Sequence, residues 1–547
     1  MRTVKRSVGG LEALGAALQG HCSAIVSASG AVQLQGPAET RAAEVEHLCT
    51  HLQEMLKGST HPHTYQAAYT ILAKSVARRL DYDQRMCPPG ALSSALQRAS
   101  SAVQAVLAAL IAQALPPSSV AVAGVHTFFG GLAVRPMDMP HAQAAFWACH
   151  TALEPDVTRV AQQLGRPIVA HPDAADASLA AAALLAVGVK LTACRVDFTD
   201  VARLVYNDGP WPADLPEEAV FDFYAEVDEI PAGSQSMLVA WRADEEVQGG
   251  RRRLAARTYR GIAALRATEL WRSLSIARRA RLLSGGGLGA GAFWHGFMRS
   301  DSAALTNAAF RVVLRRRLLL DLLPGPTTCA FEYSGTPPEG HERVCGRVLD
   351  AAGMHALCCP VGPHRIRLHN EIVRALAEWV RSHGGYADME VAVPDLYKTD
   401  AKGDIVEARM DLVISWPGAP TPIWVDVTVR SPDEDGLAAR VPAHCARAAE
   451  RHKRERYSAA VVPFAVETEG RLGPAAQALL SDLAASARVL RADNSVQERS
   501  GADFARQIAA AVSSSLVSRL AELLLAAGLR AAATLGGVGA GDGNGAV

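Results

Sequence analysis

Arg409-Met410-Asp411-Leu412-Val413-Ile414-Ser415 and Ile423-Trp424-Val425-Asp426-Val427-Thr428-Val429-Arg430 each alternate along their length. In the first, Met410, Leu412 and Ile414 share one face and leave Asp411 with Arg409 on the other. In the second, Ile423, Val425, Val427 and Val429 alternate against Trp424, Asp426 and Thr428. Side chains of a β-strand point to opposite faces in turn, so both stretches read as strands, over 408–416 and 422–430, each with an acid near its middle. Working outward, Leu368, Ile372, Leu376 and Trp379-Val380 form one helix face that Gly384-Gly385 stops, and Met389–Val393 reads as a strand. After the central pair come a helix over 436–457, a strand over 459–467 and a helix over 474–490. The order α-β-β-β-α-β predicts a small mixed sheet flanked by helices.

Around this unit the chain is long, with 547 residues, 49% hydrophobic and 20% charged. That composition excludes disordered and collagenous classes, and the length implies several domains. The fold class is therefore α+β: mostly helical N-terminal and middle regions, a Cys/His motif, then the small mixed-sheet domain. The boundaries read as a helical region 1–206, an acidic linker 207–250, an Arg-rich helical region 251–325, a Cys/His motif 326–366, the sheet domain 367–495, C-terminal helices 496–535 and a Gly-rich tail 536–547 without expected order. No fixed-period repeat is visible. The N-terminus carries Arg2, Lys5 and Arg6, but Glu12, Gln19 and several glycines break any signal-peptide core. The apolar run Leu179–Val189 is well short of the ~20 residues a membrane span requires. The expectation is an intracellular protein, neither secreted nor membrane-bound.

Lys+Arg and Asp+Glu balance at 55 each, yet the average conceals a dipolar middle. Asp208–Glu246 holds eleven acids and one Arg, net −10, while Arg251–Arg317 holds fifteen Arg and two acids, net +13. Arg-rich helices suit phosphate backbones, which makes Arg251, Arg252, Arg253, Arg315, Arg316 and Arg317 candidate nucleic-acid contacts. The competing reading is a bundle in which these arginines pair with the acidic segment.

Two further constellations carry chemistry. Cys329, Cys345, His355 and Cys359 offer three thiols and an imidazole, the set that tetrahedral zinc selects, with Cys358 and His364 as alternative ligands. The second is the pair of mid-strand acids. A carboxylate among Val and Ile costs several kcal/mol unless neutralised, hydrogen-bonded or metal-bound, and two on adjacent strands invite a hard cation such as Mg²⁺. The expected separation of the Asp411 and Asp426 carboxylates is about 6 Å or less. Glu371, from the preceding helix, is a candidate third oxygen ligand, and Lys453 with Tyr457, one turn apart on the following helix, face the same place. The alternative is a solvated sheet face on which Asp411 and Asp426 pair with Arg409 and Arg430. Two other signals fail: Tyr386-Ala387-Asp388-Met389 lacks the adjacent acids of a polymerase hairpin, and Gly285–Gly291 lacks the Lys-Ser/Thr of a phosphate loop and reads as a hinge.

The run Cys345-Gly346, Leu349-Asp350, Gly353-Met354-His355-Ala356-Leu357-Cys358-Cys359 and Arg367-Leu368-His369-Asn370, followed by Arg409-Met410-Asp411-Leu412 and Asp426-Val427-Thr428-Val429, resembles the C-terminal region of non-LTR retrotransposon proteins. Upstream, Leu80–Arg85, Phe129–Val134 and Gly287–Trp294 are similar to the helical region that such proteins place between polymerase palm and zinc motif. The resemblance implies a Cys/His zinc motif before a restriction-like endonuclease of the PD-(D/E)XK type, acting in the nucleus. It implies Asp411 and Asp426 as Mg²⁺ ligands, Glu371 as support, Lys453 as the catalytic cation, structural Zn²⁺, and DNA, with RNA as a second polyanion, as partner. The departures are specific. There is no reverse transcriptase palm, so no DNA synthesis is expected. Met410 stands where the family favours Pro and Thr428 where many related nucleases have Lys, which moves that role to Lys453 on the following helix. Arg343 stands where a close Cys pair is usual, and Cys329 takes its place. The expected function is a Mg²⁺-dependent nicking endonuclease of a truncated or repurposed retroelement protein. The rivals are a non-catalytic nucleic-acid-binding protein and an inactive remnant.

Overall fold

In the computed structural model the described residues are 23–26, 32–35, 37–86, 92–139, 141–142, 145, 267, 270–287, 289–295, 304–323, 327–333, 335–340, 342–361, 364–399, 402–416, 421–432, 436–457, 460–492 and 501–538. The acidic segment 207–250 and Arg251, Arg252 and Arg253 lie outside them, as does the tail from 539.

The elements that matter below are these. Helices α1 (Pro37–Gly58), α2 (Thr64–Lys74), α3 (Ser93–Ile111), α4 (Pro117–Gly124), α5 (Ile276–Ser284) and α6 (Asn307–Arg317) precede a two-residue hairpin of β1 (Thr327–Thr328) and β2 (Val348–Leu349). Then follow α7 (Met354–Cys358), α8 (His364–Ser382), β3 (Tyr386–Ala392), β4 (Arg409–Ser415), β5 (Ile423–Arg430), α9 (His444–Tyr457), β6 (Val461–Glu467), α10 (Pro474–Ala492) and α11 (Gly501–Val538).

The chain is α+β, with a mixed four-stranded sheet in the order β6-β5-β4-β3. The β3–β4 and β4–β5 pairs are antiparallel, and β6 runs parallel to β5 after the α9 crossover. In β4 the alternation read from the sequence is observed, with Met410, Leu412 and Ile414 buried, whereas in β5 Val425, Asp426 and Val427 are buried in succession, so Asp426 does not stand on an open polar face. Leu412, Ile414, Val425 and Val427 are at most 2% exposed and pack with Phe464 and Val466 against Leu368, Ile372 and Leu376 of α8. Each such side chain contributes about 1.5–3 kcal/mol by leaving water. Two buried acids that could pass for catalytic groups are helix caps. Glu467, at the end of β6, accepts the Cys445 and Ala446 N–H groups at the start of α9, and Glu450 of α9 accepts those of Ala475 and Ala476 at the start of α10. Carboxylates there satisfy orphan donors and complement the helix dipole.

Several expectations need correction. Ser23–Val26 and Val32–Gln35 form an antiparallel hairpin where helix was expected, their β-branched and apolar residues flanking Ser27–Gly30. The helix expected from residue 436 starts only at His444, and the C-terminal helices are one continuous α11 reaching Val538. The helical regions separated by the acidic segment share one core, in which Leu72, Leu96, Val106 and Leu110 meet Phe310, Val313 and Leu314. The glycine stretch is no hinge: Gly287 N–H donates to Phe128 O at 2.7 Å, and a Cβ on Gly286 would lie 2.5 Å from the same oxygen. Glycine is there for close backbone approach.

One element touches every part of this. Ile508, Val512 and Leu516 of α11 join the core beneath the sheet, Leu520, Leu523, Leu524 and Ala527 join a core with the Cys/His segment, and Ala521 joins the N-terminal helical core. Its stretch Gln507–Gly528 is long and apolar enough to cross a membrane by length and composition. A search for an unbroken apolar run passes over it because it contains Arg519 and Glu522.

Candidate functional site: a carboxylate pair and a Cys/His group

Pairing of β4 with β5 runs from Ile414↔Ile423 to Leu412↔Val425, and the next step of that register sets Asp411 opposite Asp426. The pairing ends there. The Val427 N–H donates instead to Asp411 Oδ2 at 2.6 Å. The two carboxyls are close enough to influence each other directly, in line with the proximity expected from the sequence.

Each acid also has a cation of its own. Lys453 Nζ, from α9, donates to both oxygens of Asp426 at 2.8 Å. His369 Nε2, from the first half of α8, lies 3.0 Å from Asp411 Oδ2. These surroundings split the pair. For Asp411, burial favours the neutral form but is outweighed by the hydrogen bond and charge of His369 and by the Val427 N–H, so its pKa is lowered. For Asp426, burial together with the neighbouring Asp411 outweighs Lys453, so its pKa is raised. Burial opposes charge on His369, yet Asp411, Asn370 and Asp426 together raise its pKa to about 9. Among the described residues neither Arg409 nor Arg430 takes up these acids; Arg409 pairs with Glu407, at 4.0 Å.

Glu371 is not brought to the pair. Its Oε2 accepts from Arg374 Nη1 at 2.6 Å and Arg519 Nη2 at 3.0 Å, which ties α8 to α11. His369 already faces Asp411, and two residues on a helix rotate by about 200°, so Glu371 faces away. The helix supplies an imidazole where an acid was expected. Selection by residue charge passed over His369; its position at the start of the same amphipathic helix was the available signal.

Arg316 and Arg317 are likewise not a nucleic-acid surface. Arg316 is 1% exposed and reaches Ala352 O at 2.8 Å and the Glu469 carboxylate; Arg317 donates to Gly285 O at 2.6 Å and Gly131 O at 3.1 Å. Arg315 donates to Asp321 O at 2.6 Å. The reason is geometric: Phe310, Val313, Leu314 and Arg317 occupy i, i+3, i+4 and i+7, so Arg317 ends an inward stripe. Burial pushes its pKa down to about 10, and Glu469 and Tyr69 oppose that.

The Cys/His group assembles as expected, with the ligand atoms of Cys329, Cys345, His355 and Cys359 all within 4.8 Å of one another. The hairpin sets the first half: Cys345 N–H donates to Phe331 O at 2.8 Å, and Gly346 N–H to Cys329 O at 3.1 Å. Asp350 sets the second by accepting the Met354 and His355 N–H groups, at 3.0 and 2.8 Å, which starts α7. In a tetrahedral site with Zn–S near 2.3 Å, two sulfurs stand about 3.8 Å apart. Cys329 Sγ and Cys359 Sγ are 3.8 Å apart, and Cys345 Sγ lies 3.3 Å from His355 Nε2. The Cys359 hydrogen bond draws the Cys329 thiol down to about 5 against the effect of burial, while the same bond and burial raise Cys359. The group could therefore hold a metal such as zinc. Cys358 turns out of it, its thiol on Met354 O at 3.2 Å, and His364 packs on the Phe331 ring at 4.5 Å.

No protein-family model matches the chain, and no curated protein matches it.

Proposed function

We propose that this protein is a Mg²⁺-dependent endonuclease that nicks duplex DNA, built as the zinc-motif and nuclease part of a non-LTR retroelement protein. The observation that carries the reading is the Asp411–Asp426 contact at the point where β4 and β5 part, with Lys453 on Asp426. Two neighbouring carboxyls resist being charged together, and a cation shared between them relieves that repulsion. A divalent ion suits this all-oxygen pair. Bound there, Mg²⁺ would polarise the scissile phosphate and lower the pKa of an attacking water.

The protein's own groups do the rest. Asp411 and Asp426 hold the ion. Lys453, released from its contact with both Asp426 oxygens, stabilises the negative charge that develops on the phosphate. His369 orients Asp411 and keeps it ionised. Cys329, Cys345, His355 and Cys359 would hold a structural Zn²⁺, which would fix the entry to α8. The test is nicking of supercoiled plasmid in Mg²⁺ by the native chain and by the Asp411→Ala and Asp426→Ala variants. Activity that survives both substitutions overturns the assignment. A native chain that binds DNA but never nicks it supports the non-catalytic alternative.

A further inference from the structure

The middle segment carries fifteen arginines, yet Arg316 and Arg317 are buried in carbonyl contacts. The exposed arginines elsewhere sort by whether a carboxylate already holds them. Arg374 is held by Glu371, Arg343 by Glu332, Arg409 by Glu407 and Arg98 by Glu46. Other exposed arginines, Arg367 on α8 and Arg454 on α9 among them, have no such partner among the described residues, and two of this second group are set apart by position beside the carboxylate pair. Arg365 sits one turn before His369 on α8, the i−4 neighbour of the side chain that touches Asp411. Arg456 sits three residues after Lys453 on α9, the i+3 neighbour of the side chain that touches Asp426. Its guanidinium stacks at 4.8 Å on the Tyr457 ring, whose centroid also lies 5.9 Å from Lys453 Nζ. Among the described residues no ion pair engages either arginine.

We propose that Arg365 and Arg456 form a two-sided phosphate clamp, one guanidinium beside each acid, that seats a nucleic-acid duplex with a backbone phosphate over the Asp411–Asp426 pair. This rests on the nuclease reading and adds to it the surface that receives the substrate. The chemistry fits. Arginine forks match phosphate oxygens, stacking on Tyr457 restricts the Arg456 side chain in advance, and an internal carboxylate does not compete for either group. Placement on two different helices sets orientation as well as affinity, because both contacts form together only when the strand runs across the pair.

The experiment uses the full chain, a short mixed-sequence DNA duplex and no added divalent cation, so that binding is read apart from cleavage. The native chain is expected to bind with an affinity that falls linearly on log–log axes as salt rises. Each of Arg365→Ala and Arg456→Ala is expected to flatten that slope by about 0.9, and the double variant by about 1.8. Arg343→Ala, exposed and remote in the Cys/His segment, is expected to leave it unchanged. Arg365→Lys and Arg456→Lys keep the charge and are expected to keep the slope, and they serve in place of either alanine variant that fails to fold, read then by the loss of affinity from replacing a fork with a point charge. A double variant with an unchanged slope overturns the clamp, as does a native chain that does not bind duplex. If the slope flattens while plasmid nicking in Mg²⁺ is absent, the clamp stands and the nuclease reading fails. If nicking is present and the slope does not change, the clamp alone fails.

Discussion

The Cys/His group and the carboxylate pair are both four-residue constellations that a metal suits, and they are built from opposite materials. In the first, three thiols and an imidazole gather within 4.8 Å, on loop backbone pinned by a hairpin and the start of a short helix. In the second, two acids stand on regular strands and each has a cation from a different helix, His369 for Asp411 and Lys453 for Asp426. One cluster is left for an ion to complete; the other neutralises itself and must exchange internal partners for an ion. On the proposed reading, zinc at the first would be part of the fold, and a divalent ion at the second would be a conditional ligand that arrives with substrate chemistry.

That contrast can be broken in four ways, taken here from the largest expected effect to the smallest. Withdrawing zinc, by chelation or by Cys345→Ser with Cys359→Ser, removes a binding free energy on the order of 10 kcal/mol. The segment from the first hairpin to α8 is expected to lose its protection from hydrogen exchange before the sheet does. One zinc per native chain by elemental analysis and none in the double variant are the expected counts. Uniform loss of protection across the chain would contradict the contrast.

Asp426→Asn is expected to lower nicking by at least about 10²-fold while costing only about 1–3 kcal/mol, since Lys453 loses its charged partner but keeps a polar one. Equal losses of activity and fold in urea melts with plasmid assays would show that the pair is structural.

The third is a pH effect. His369 has its pKa raised to about 9 in the folded protein against about 6.5 in the unfolded chain. A raised pKa contributes stability that is complete below the unfolded value and is lost as pH rises through the folded one. Urea melts should therefore show native stability falling between pH 6.5 and 9, with a smaller fall in His369→Gln. Parallel curves for the two proteins would mean that the His369–Asp411 contact carries no charge.

The smallest effect is expected at Glu371. Glu371→Gln breaks ion pairs with Arg374 and Arg519 that are partly exposed, so the cost is about 1 kcal/mol or less, and nicking should stay within about twofold of native. A large loss of nicking would return Glu371 to the site.

What the sequence made legible follows from how local each signal is. Strand alternation is local and strong, so the sequence alone places the acids at 411 and 426 on neighbouring strands and close to each other. The Cys/His group was legible from residue type, including the long step from Cys329 to Cys345, because thiols with an imidazole have few other reasons to cluster. Glu371 failed for the opposite reason: acid identity was weighed and helix phase was not, although His369 and Glu371 differ in phase by more than half a turn. Arg316 and Arg317 failed because charge implied solvent, while the carbonyls that bury them, on residues 131, 285 and 352, are distant in sequence and visible only in the fold. For α11, apolar residues on several sides blur the helical period, so its three neighbours left no separable trace.

The long last helix has a consequence for how the chain is made. Synthesis runs from the N-terminus at roughly 5–20 residues per second, so the helical core, the Cys/His segment and the sheet all leave the ribosome before the helix over 501–538 that packs into all three. For that interval three apolar faces stand open on one nascent chain, at sites far apart along it. Their closure waits on this one helix, so a chain arrested near residue 500 would be an aggregation-prone species rather than a smaller working protein.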